Sequence, residues 1–350
     1  MRIDLCSLVA AAAFSASQAI ACGFHTYVPQ PTLVDRLLVS DHIVLARPDP
    51  EDPFRFVATS SIEGPIDEVE LPHLVDSTTR KRMAANPDSH VLFARDGAYG
   101  PWQRIAYIDE DMAPVLNQVT ANLAEWSGVD SDRGRYEYFA GLINSQNIGV
   151  RRLALRELDQ ASYGVFRSLE IEPDPDSIRQ RLGLLTENDL APIRILLLGL
   201  SDAPEVGGLL QAGVDRNKGS GASAFLGAYA TAWVEHSGSD AARRLASEYL
   251  LDDTLPYPSR EMIVEALAIH AETGDAGTSE AVRDALSSAL RADAELAPAV
   301  ARQFGIRNDW SLSLPISEVL YGNKLTSMTD IILVSQYVAL ADEATLPTAN

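Results

Sequence analysis

Residues 150–158 read Val-Arg-Arg-Leu-Ala-Leu-Arg-Glu-Leu and place apolar and cationic side chains at helical spacing. The leucines predict a buried face, and Arg151, Arg152 and Arg156 predict a cationic one. We expect this second face to be solvated, with local ion pairs to Glu157 and Asp159. A groove for a partner is the alternative interpretation, because arrays of helices present extended concave surfaces.

The same periodicity runs from Ala113 to Ile306, where the chain is rich in Ala, Leu, Arg and Glu. Short links of Gly, Asp, Ser and Pro separate the predicted helices, as at Ser237-Gly-Ser239. Such links favour antiparallel neighbouring helices. Residues 193–200 form the most apolar stretch. Because Arg194 interrupts this stretch, we expect a buried helix there and not a membrane span.

Residues 32–111 show a different pattern that is mainly β. Thr32 is the predicted N-cap of a short helix that begins at Leu33. Short apolar runs then alternate with turn residues such as Glu63-Gly64-Pro65 and Asp96-Gly97. Strands are predicted over residues 42–47, 54–59, 69–71, 90–95 and 103–108. Short strands at this spacing predict a small antiparallel, OB-like barrel.

Two family resemblances follow from these segments. Residues 150–158 resemble one helix of a HEAT-type pair. Related apolar helices at 193–200, 227–234 and 262–269 start roughly 35 to 45 residues apart, a spacing typical of helix-pair solenoids. This resemblance covers about residues 145–305 and implies stacked helix pairs. A non-repetitive helical bundle is the alternative.

The second resemblance concerns the N-terminal part, where a cysteine at position 22 precedes the short helix and the strands at 42–47 and 54–59. This arrangement resembles the netrin-like OB-fold domain of the tissue inhibitors of metalloproteinases. In that family the amine and carbonyl of an N-terminal cysteine bind the zinc of a target protease. The resemblance therefore implies a metal-binding or inhibitor-like role for Cys22.

The first residues have the composition of a secretory signal. Arg2 precedes an apolar run at residues 5–14, and Ala19-Ile20-Ala21 matches the A-x-A pattern that signal peptidases cleave. We therefore expect export and a mature chain that begins at Cys22. Acylation of Cys22, as in bacterial lipoproteins, is one interpretation, and simple cleavage to a soluble protein is the other. Cys6 leaves with the signal, so Cys22 has no intrachain disulfide partner.

Composition excludes several classes of function. The 350 residues are 46% apolar and 22% charged, which is typical of globular domains. The net charge of −21 opposes binding to nucleic acid and to anionic lipid headgroups. The chain has no G-x-S-x-G, P-loop or H-E-x-x-H motif. Arg80-Lys81-Arg82 is the one basic triplet, and nothing else in the sequence extends it into a binding stripe.

Few residues suggest metal or cofactor chemistry. The six histidines have no metal-ligand spacing, and His236 and His270 are expected near helix ends. Residues 109–111 and 170–176 are acidic, and we interpret both segments as helix caps. Residues 170–176 also offer oxygen ligands to calcium, but they lack the EF-hand spacing. Only Cys22 and His25, with the free amine that cleavage creates, form a candidate metal site. No resident metal or cofactor is predicted.

The predicted architecture has four parts: a signal peptide (1–21), a β-rich OB-like domain (22–112), a HEAT-like helical domain (113–310) and a C-terminal capping segment (311–350). The fold class is α+β, predominantly α. We expect a non-catalytic protein that binds another envelope protein and contacts the membrane only through an anchor at Cys22. Ala21 and Cys22 are the predicted processing residues. An enzyme with a site assembled from distant residues and a metal-binding or inhibitor-like module at Cys22 are the alternatives.

Overall fold

The computed structural model describes residues 29–67, 69–97, 99–128, 132–219 and 225–345. These residues form two compact units, one from Pro29 to Ala203 and one that begins at Pro204. The predicted signal peptide and its processing residues, Ala21 and Cys22, lie outside the described residues, as does His25. The change in composition after Met112 falls inside the first unit, which contains a sheet as well as helices.

The first unit consists of a small sheet followed by helices, in agreement with the predicted fold class. In chain order its elements are α1 (Leu33–Leu38), β1 (His42–Pro48), β2 (Phe56–Glu63), α2 (Ser77–Ala85), β3 (His90–Arg95), β4 (Gln103–Ile108), α3 (Met112–Trp126), α4 (Asp132–Ala140), α5 (Ile148–Leu158), α6 (Tyr163–Arg167), α7 (Pro175–Leu182) and α8 (Ala191–Gly199). A 3₁₀ turn over Leu185–Leu190 precedes α8.

The four strands pair antiparallel in the order β2-β1-β3-β4. The central strands β1 and β3 are apolar along most of their length because both faces of the sheet are covered there. On one face Val44, Val91 and Phe93 pack against Phe56 and Trp102. The outer strands β2 and β4 carry more exposed residues, as edge strands do.

The structure corrects two predictions for this region: the strand at residues 69–71 and the closed barrel. Residues 69–71 form no strand, and the isolated bridge between Arg55 and Leu74 lies outside this segment. The described strands form an open sheet and not the predicted barrel, because β2 and β4 do not pair with each other. Helix α2 was not predicted, because its polar sequence has almost no apolar periodicity. Its start is fixed by Asp76, whose side chain accepts a hydrogen bond from the backbone of Thr79.

Helix α8 confirms the interpretation of the apolar stretch around Arg194. All of its residues are buried, and Arg194 is paired with the Glu187 carboxylate from the preceding 3₁₀ turn. The buried guanidinium is thus compensated inside the unit and needs no water. Across the described residues, no helix has the length and apolar character that crossing a membrane requires.

The second unit is helical throughout the part that the structure describes. Its α-helices are α9 (Glu205–Asn217), α10 (Leu226–Arg244), α11 (Tyr257–Thr273), α12 (Ala276–Ala292), α13 (Ala297–Gly305), α14 (Ser313–Tyr321) and α15 (Met328–Thr345). Helix α10 contacts α11 and α12, α11 contacts α12 and α13, α12 contacts α14, and α13 contacts α14 and α15. Each helix thus packs against near neighbours in the chain, which makes this unit a helical array.

The predicted link at residues 237–239 corresponds to a break inside α10. Gly238 has a φ of 56° and a ψ of −136°, which lie outside the helical region. A positive φ is strained for most residues but not for glycine. Gly238 therefore divides α10 into two helical segments, as the sequence predicts.

One carboxyl group in α11 makes the stability of this unit depend on pH. Burial raises the pKa of Glu265 to about 7, even though the Arg307 charge acts in the opposite direction and Glu261 adds a smaller upward effect. The folded state therefore binds the Glu265 proton more tightly than the unfolded chain does. As a result, the free energy of unfolding decreases as the pH rises from about 4.5 through 7.

We expect Glu265→Gln to stabilise the second unit at pH 8 by about 2 kcal/mol and to change its stability little at pH 5. Glutamine has the shape of the protonated carboxyl but cannot ionise. Denaturant unfolding of both proteins at the two pH values measures this difference. An equal pH dependence of wild type and variant would contradict it.

Candidate functional site

Helix α5 carries the arginines that the sequence singled out. Asn147 is its N-cap, and its side chain accepts hydrogen bonds from Gly149 N (2.8 Å) and Val150 N (3.1 Å). With the start fixed there, Leu155 and Leu158 are buried. The arginines at 152 and 156 remain on the accessible side, as predicted, whereas Leu153 is only half-buried and Arg151 lines a separate cavity.

The predicted local ion pair with Glu157 is wrong. Glu157 is completely buried and pairs with Arg135 of α4. Arg152 and Arg156 instead contact Asp189, each at 3.0 Å. Burial acts to raise the pKa of Asp189, but the hydrogen bond from Arg156 and the two arginine charges outweigh it and lower this pKa.

Five arginines line one open groove of about 840 Å³ in the first unit, which we call the arginine groove. They come from four elements distant in sequence: Arg36 in α1, Arg82 in α2, Arg104 in β4, and Arg152 and Arg156 in α5. Asp109 is the one carboxylate among the described residues that line it. It is occupied as the cap of α3, since its Oδ1 accepts a hydrogen bond from Met112 N at 2.9 Å.

The arginines differ in how far their charge is compensated. Arg104 contacts Asp76 at 2.7 Å, and this hydrogen bond holds the pKa of Asp76 well below its usual range. Arg36 donates to the Gln103 side chain at 3.0 Å, and the Arg82 guanidinium lies 5.4 Å above the ring of Tyr107. Neither Arg36 nor Arg82 has an ion pair among the described residues. The groove therefore carries uncompensated positive charge.

Apolar groups accompany this charge. Ile148, the first residue of α5, lines the groove with 60% of its surface exposed. Leu33, Ile105 and Leu153 also line it. The hydroxyl of Tyr107 is buried and has no hydrogen-bond partner in the described part of the chain. The groove thus offers cationic donors together with apolar contacts.

One member of the basic triplet lies near arginines that are distant from it in sequence. Arg82 joins the groove, whereas the guanidinium of Arg80 lies 4.6 Å over the ring of Phe54. No local pattern reveals this convergence, because the five arginines are spread from position 36 to position 156. Only the packing of α1, α2, β4 and α5 brings them together.

The other candidates have structural roles in the described residues. Asp174 caps α7 by accepting from Asp176 N and Ser177 N, each at 3.1 Å, as predicted for residues 170–176. His270 is buried, and its Nε2 lies 2.8 Å from the carbonyl oxygen of Thr231. In the described ranges no three His, Cys, Asp or Glu side chains are placed to hold a metal ion.

The candidate metal site at Cys22 and His25 lies outside the described residues, so the arginine groove is the site that the structure offers. Comparisons of this chain with known protein families, with curated proteins and with solved structures found no match.

Proposed function

We propose that this is an exported, non-catalytic binding protein of the cell envelope, whose arginine groove receives an acidic segment of a partner protein. The observation that carries the proposal is the convergence of five arginines on one groove in a chain of net charge −21. A positively charged groove on a negatively charged protein favours a negatively charged partner and steers its approach.

The character of the groove favours a peptide over a nucleic acid. A long polyanion would meet the strongly negative charge of the rest of the chain, whereas a short acidic segment meets only the groove. The exposed side chain of Ile148 suits an apolar residue within that segment. Uncompensated guanidinium groups such as those of Arg36 and Arg82 bind carboxylates through paired donors.

The wider architecture is part of the same proposal. We describe the helices as a HEAT-like array, which is supported by their contacts with first and second neighbours in the second unit. We also propose an OB-like relationship for the small antiparallel sheet, whose described strands form an open sheet and not a closed barrel. Export to the periplasm, with or without a lipid at Cys22, is supported by the apolar run at residues 5–14 and by the Ala19-Ile20-Ala21 pattern.

A binding titration tests the groove. The probe is a fluorescein-labelled peptide of alternating glutamate and leucine, and the readout is fluorescence anisotropy at low and at physiological salt. We expect wild type to bind at low salt and the double variant Arg82→Glu/Arg156→Glu to bind at least about tenfold more weakly. Raising the salt concentration should also weaken binding to wild type.

The matched control is Arg243→Glu/Arg291→Glu, which makes the same change in net charge at exposed positions of the second unit. We expect it to change the affinity less than about twofold. Equal weakening by both double variants would contradict a specific groove. Tighter binding of a single-stranded oligonucleotide than of the peptide would replace the proposed partner with a nucleic acid.

A further inference from the structure

A second cavity in the first unit has a different set of cationic residues. Its volume is about 300 Å³, and it is lined by side chains of α5, α7, α8 and the segment before α5. Arg151, Arg181 and Arg194 come from these three helices and all line it. Asn144, Gln146 and Ser177 add neutral polar groups. The volume is at the lower end of the range for small-molecule sites.

Arg181 repels each of the other two guanidinium groups. Burial lowers the pKa of Arg151, and the charge of Arg181 lowers it further, whereas the charge of Glu187 acts in the opposite direction. Burial is also the largest cause of the lowered pKa of Arg194, to which Arg181 contributes as well. Arg194 is only 2% exposed. Three like charges in a small, partly buried space are costly unless anions lie among them.

The carboxylates nearby only partly compensate this charge. Glu187 pairs with Arg194 and lies 4.0 Å from Arg181 Nη1. Asp174 lines the cavity, but its side chain caps α7. No ion pair of Arg151 is present in the described residues.

Arg151 also retains unused donor capacity. Its Nη1 donates to the carbonyl oxygen of Ser145 at 2.6 Å. Its Nε is buried and has no hydrogen-bond partner in the described part of the chain. A buried N–H of a charged group without a partner is unfavourable, and this side chain lines the cavity.

We propose that this cavity binds a small molecule or free ion through one carboxylate or phosphate group, held by Arg151 and Arg181. The guanidinium geometry matches the oxygens of both groups, and each oxygen accepts charge-assisted hydrogen bonds. Because Glu187 pairs with Arg194, Arg151 and Arg181 are the arginines that contact the ligand. The cavity volume suits a ligand of a few heavy atoms and not a polymer.

Isothermal titration calorimetry at constant ionic strength tests this site, with sodium phosphate and sodium succinate as separate probes and sodium chloride as the reference. We expect at least one probe to bind wild type and its affinity to fall at least tenfold in Arg151→Gln/Arg181→Gln. The probe that binds identifies the group, phosphate or carboxylate. Arg151→Lys keeps the charge but loses the forked donors, and we expect it to weaken binding as well.

Arg179→Gln is the control, because Arg179 lies on the same helix as Arg181 but is exposed and pairs with Asp176. Its affinity for the probe should equal that of wild type. Absence of binding of both probes at 10 mM would overturn the proposal, as would an equal loss in Arg179→Gln. Circular dichroism verifies that each variant is folded. The labelled peptide should still bind Arg151→Gln/Arg181→Gln, so a failure of this site is distinguishable from a failure of the arginine groove.

Discussion

Replacing Arg135 by alanine is expected to lower the free energy of unfolding of the first unit by about 3–5 kcal/mol. Arg135 is buried, and its Nε donates to Glu157 Oε2 at 2.9 Å. Its Nη2 donates to Asp35 Oδ1 at 2.7 Å and to Thr32 Oγ1 at 3.0 Å. The substitution removes the cation and leaves the fully buried Glu157 carboxylate without compensation.

The cost is large because this ion pair connects three helices. Glu157 of α5 also accepts a hydrogen bond from the backbone N–H of Val34 in the first turn of α1, at 3.3 Å. Burial is the largest influence on the pKa of Glu157 and raises it, while the charge of Arg135 acts in the opposite direction. The ionised form of Glu157 therefore depends on Arg135. Without Arg135, α1 loses the hydrogen bonds from this guanidinium to Thr32 and Asp35.

Arg133→Ala is the matched control on the same helix. Arg133 pairs with Glu137 at 2.7 Å, but their side chains are 56% and 52% exposed. Exposed pairs contribute about 0.2–1 kcal/mol, so we expect a loss in that range. Urea unfolding followed by circular dichroism compares the two variants. A loss for Arg135→Ala within 1 kcal/mol of the control would contradict the role of the buried pair, and Glu157→Gln provides an independent check from the other partner.

Gly213→Ala is expected to destabilise the second unit by about 1–3 kcal/mol. Gly213 lies in α9 and is buried, and a Cβ atom there would overlap the ring of Tyr229 in α10. The absence of a side chain thus allows the two helices to approach closely. Because Tyr229 is itself buried, its ring has little room to move.

Gly208→Ala on the same helix should have the opposite effect. A Cβ atom at position 208 would meet no atom within 4 Å. Alanine there raises helix propensity and reduces the entropy of the unfolded chain, so we expect a gain of about 0.5–1 kcal/mol. Thermal unfolding of the two variants should therefore shift in opposite directions. A stabilising effect of Gly213→Ala would show that close packing of α9 on α10 is not needed.

The features that the sequence predicted correctly depend on neighbouring residues. Thr32 caps α1 and forms a capping box with Asp35, an interaction within one helical turn. The central strands β1 and β3 were found because their apolar runs are continuous. The link at Gly238 was found because glycine between serines interrupts a periodic pattern.

The features that the sequence missed depend on contacts between distant residues. Glu157 is adjacent in sequence to Arg156, so local spacing predicts ion pairs with the arginines of α5. Its actual partner, Arg135, belongs to another helix, and burial of the pair follows only from the packing of α4 on α5. The five arginines of the groove converge for the same reason. Residues 69–71 were assigned to a strand from β propensity alone, which tertiary context overrides.

Hydrogen–deuterium exchange with and without the glutamate–leucine peptide tests the arginine groove most directly, because it maps where the peptide binds on the unmodified protein. We predict that bound peptide slows exchange in the segments that line the groove, around residues 31–36, 82–86, 104–109 and 146–156, and leaves the second unit unchanged. Slower exchange confined to the second unit, or no change in any of these four segments at a saturating peptide concentration, would contradict the proposed binding surface.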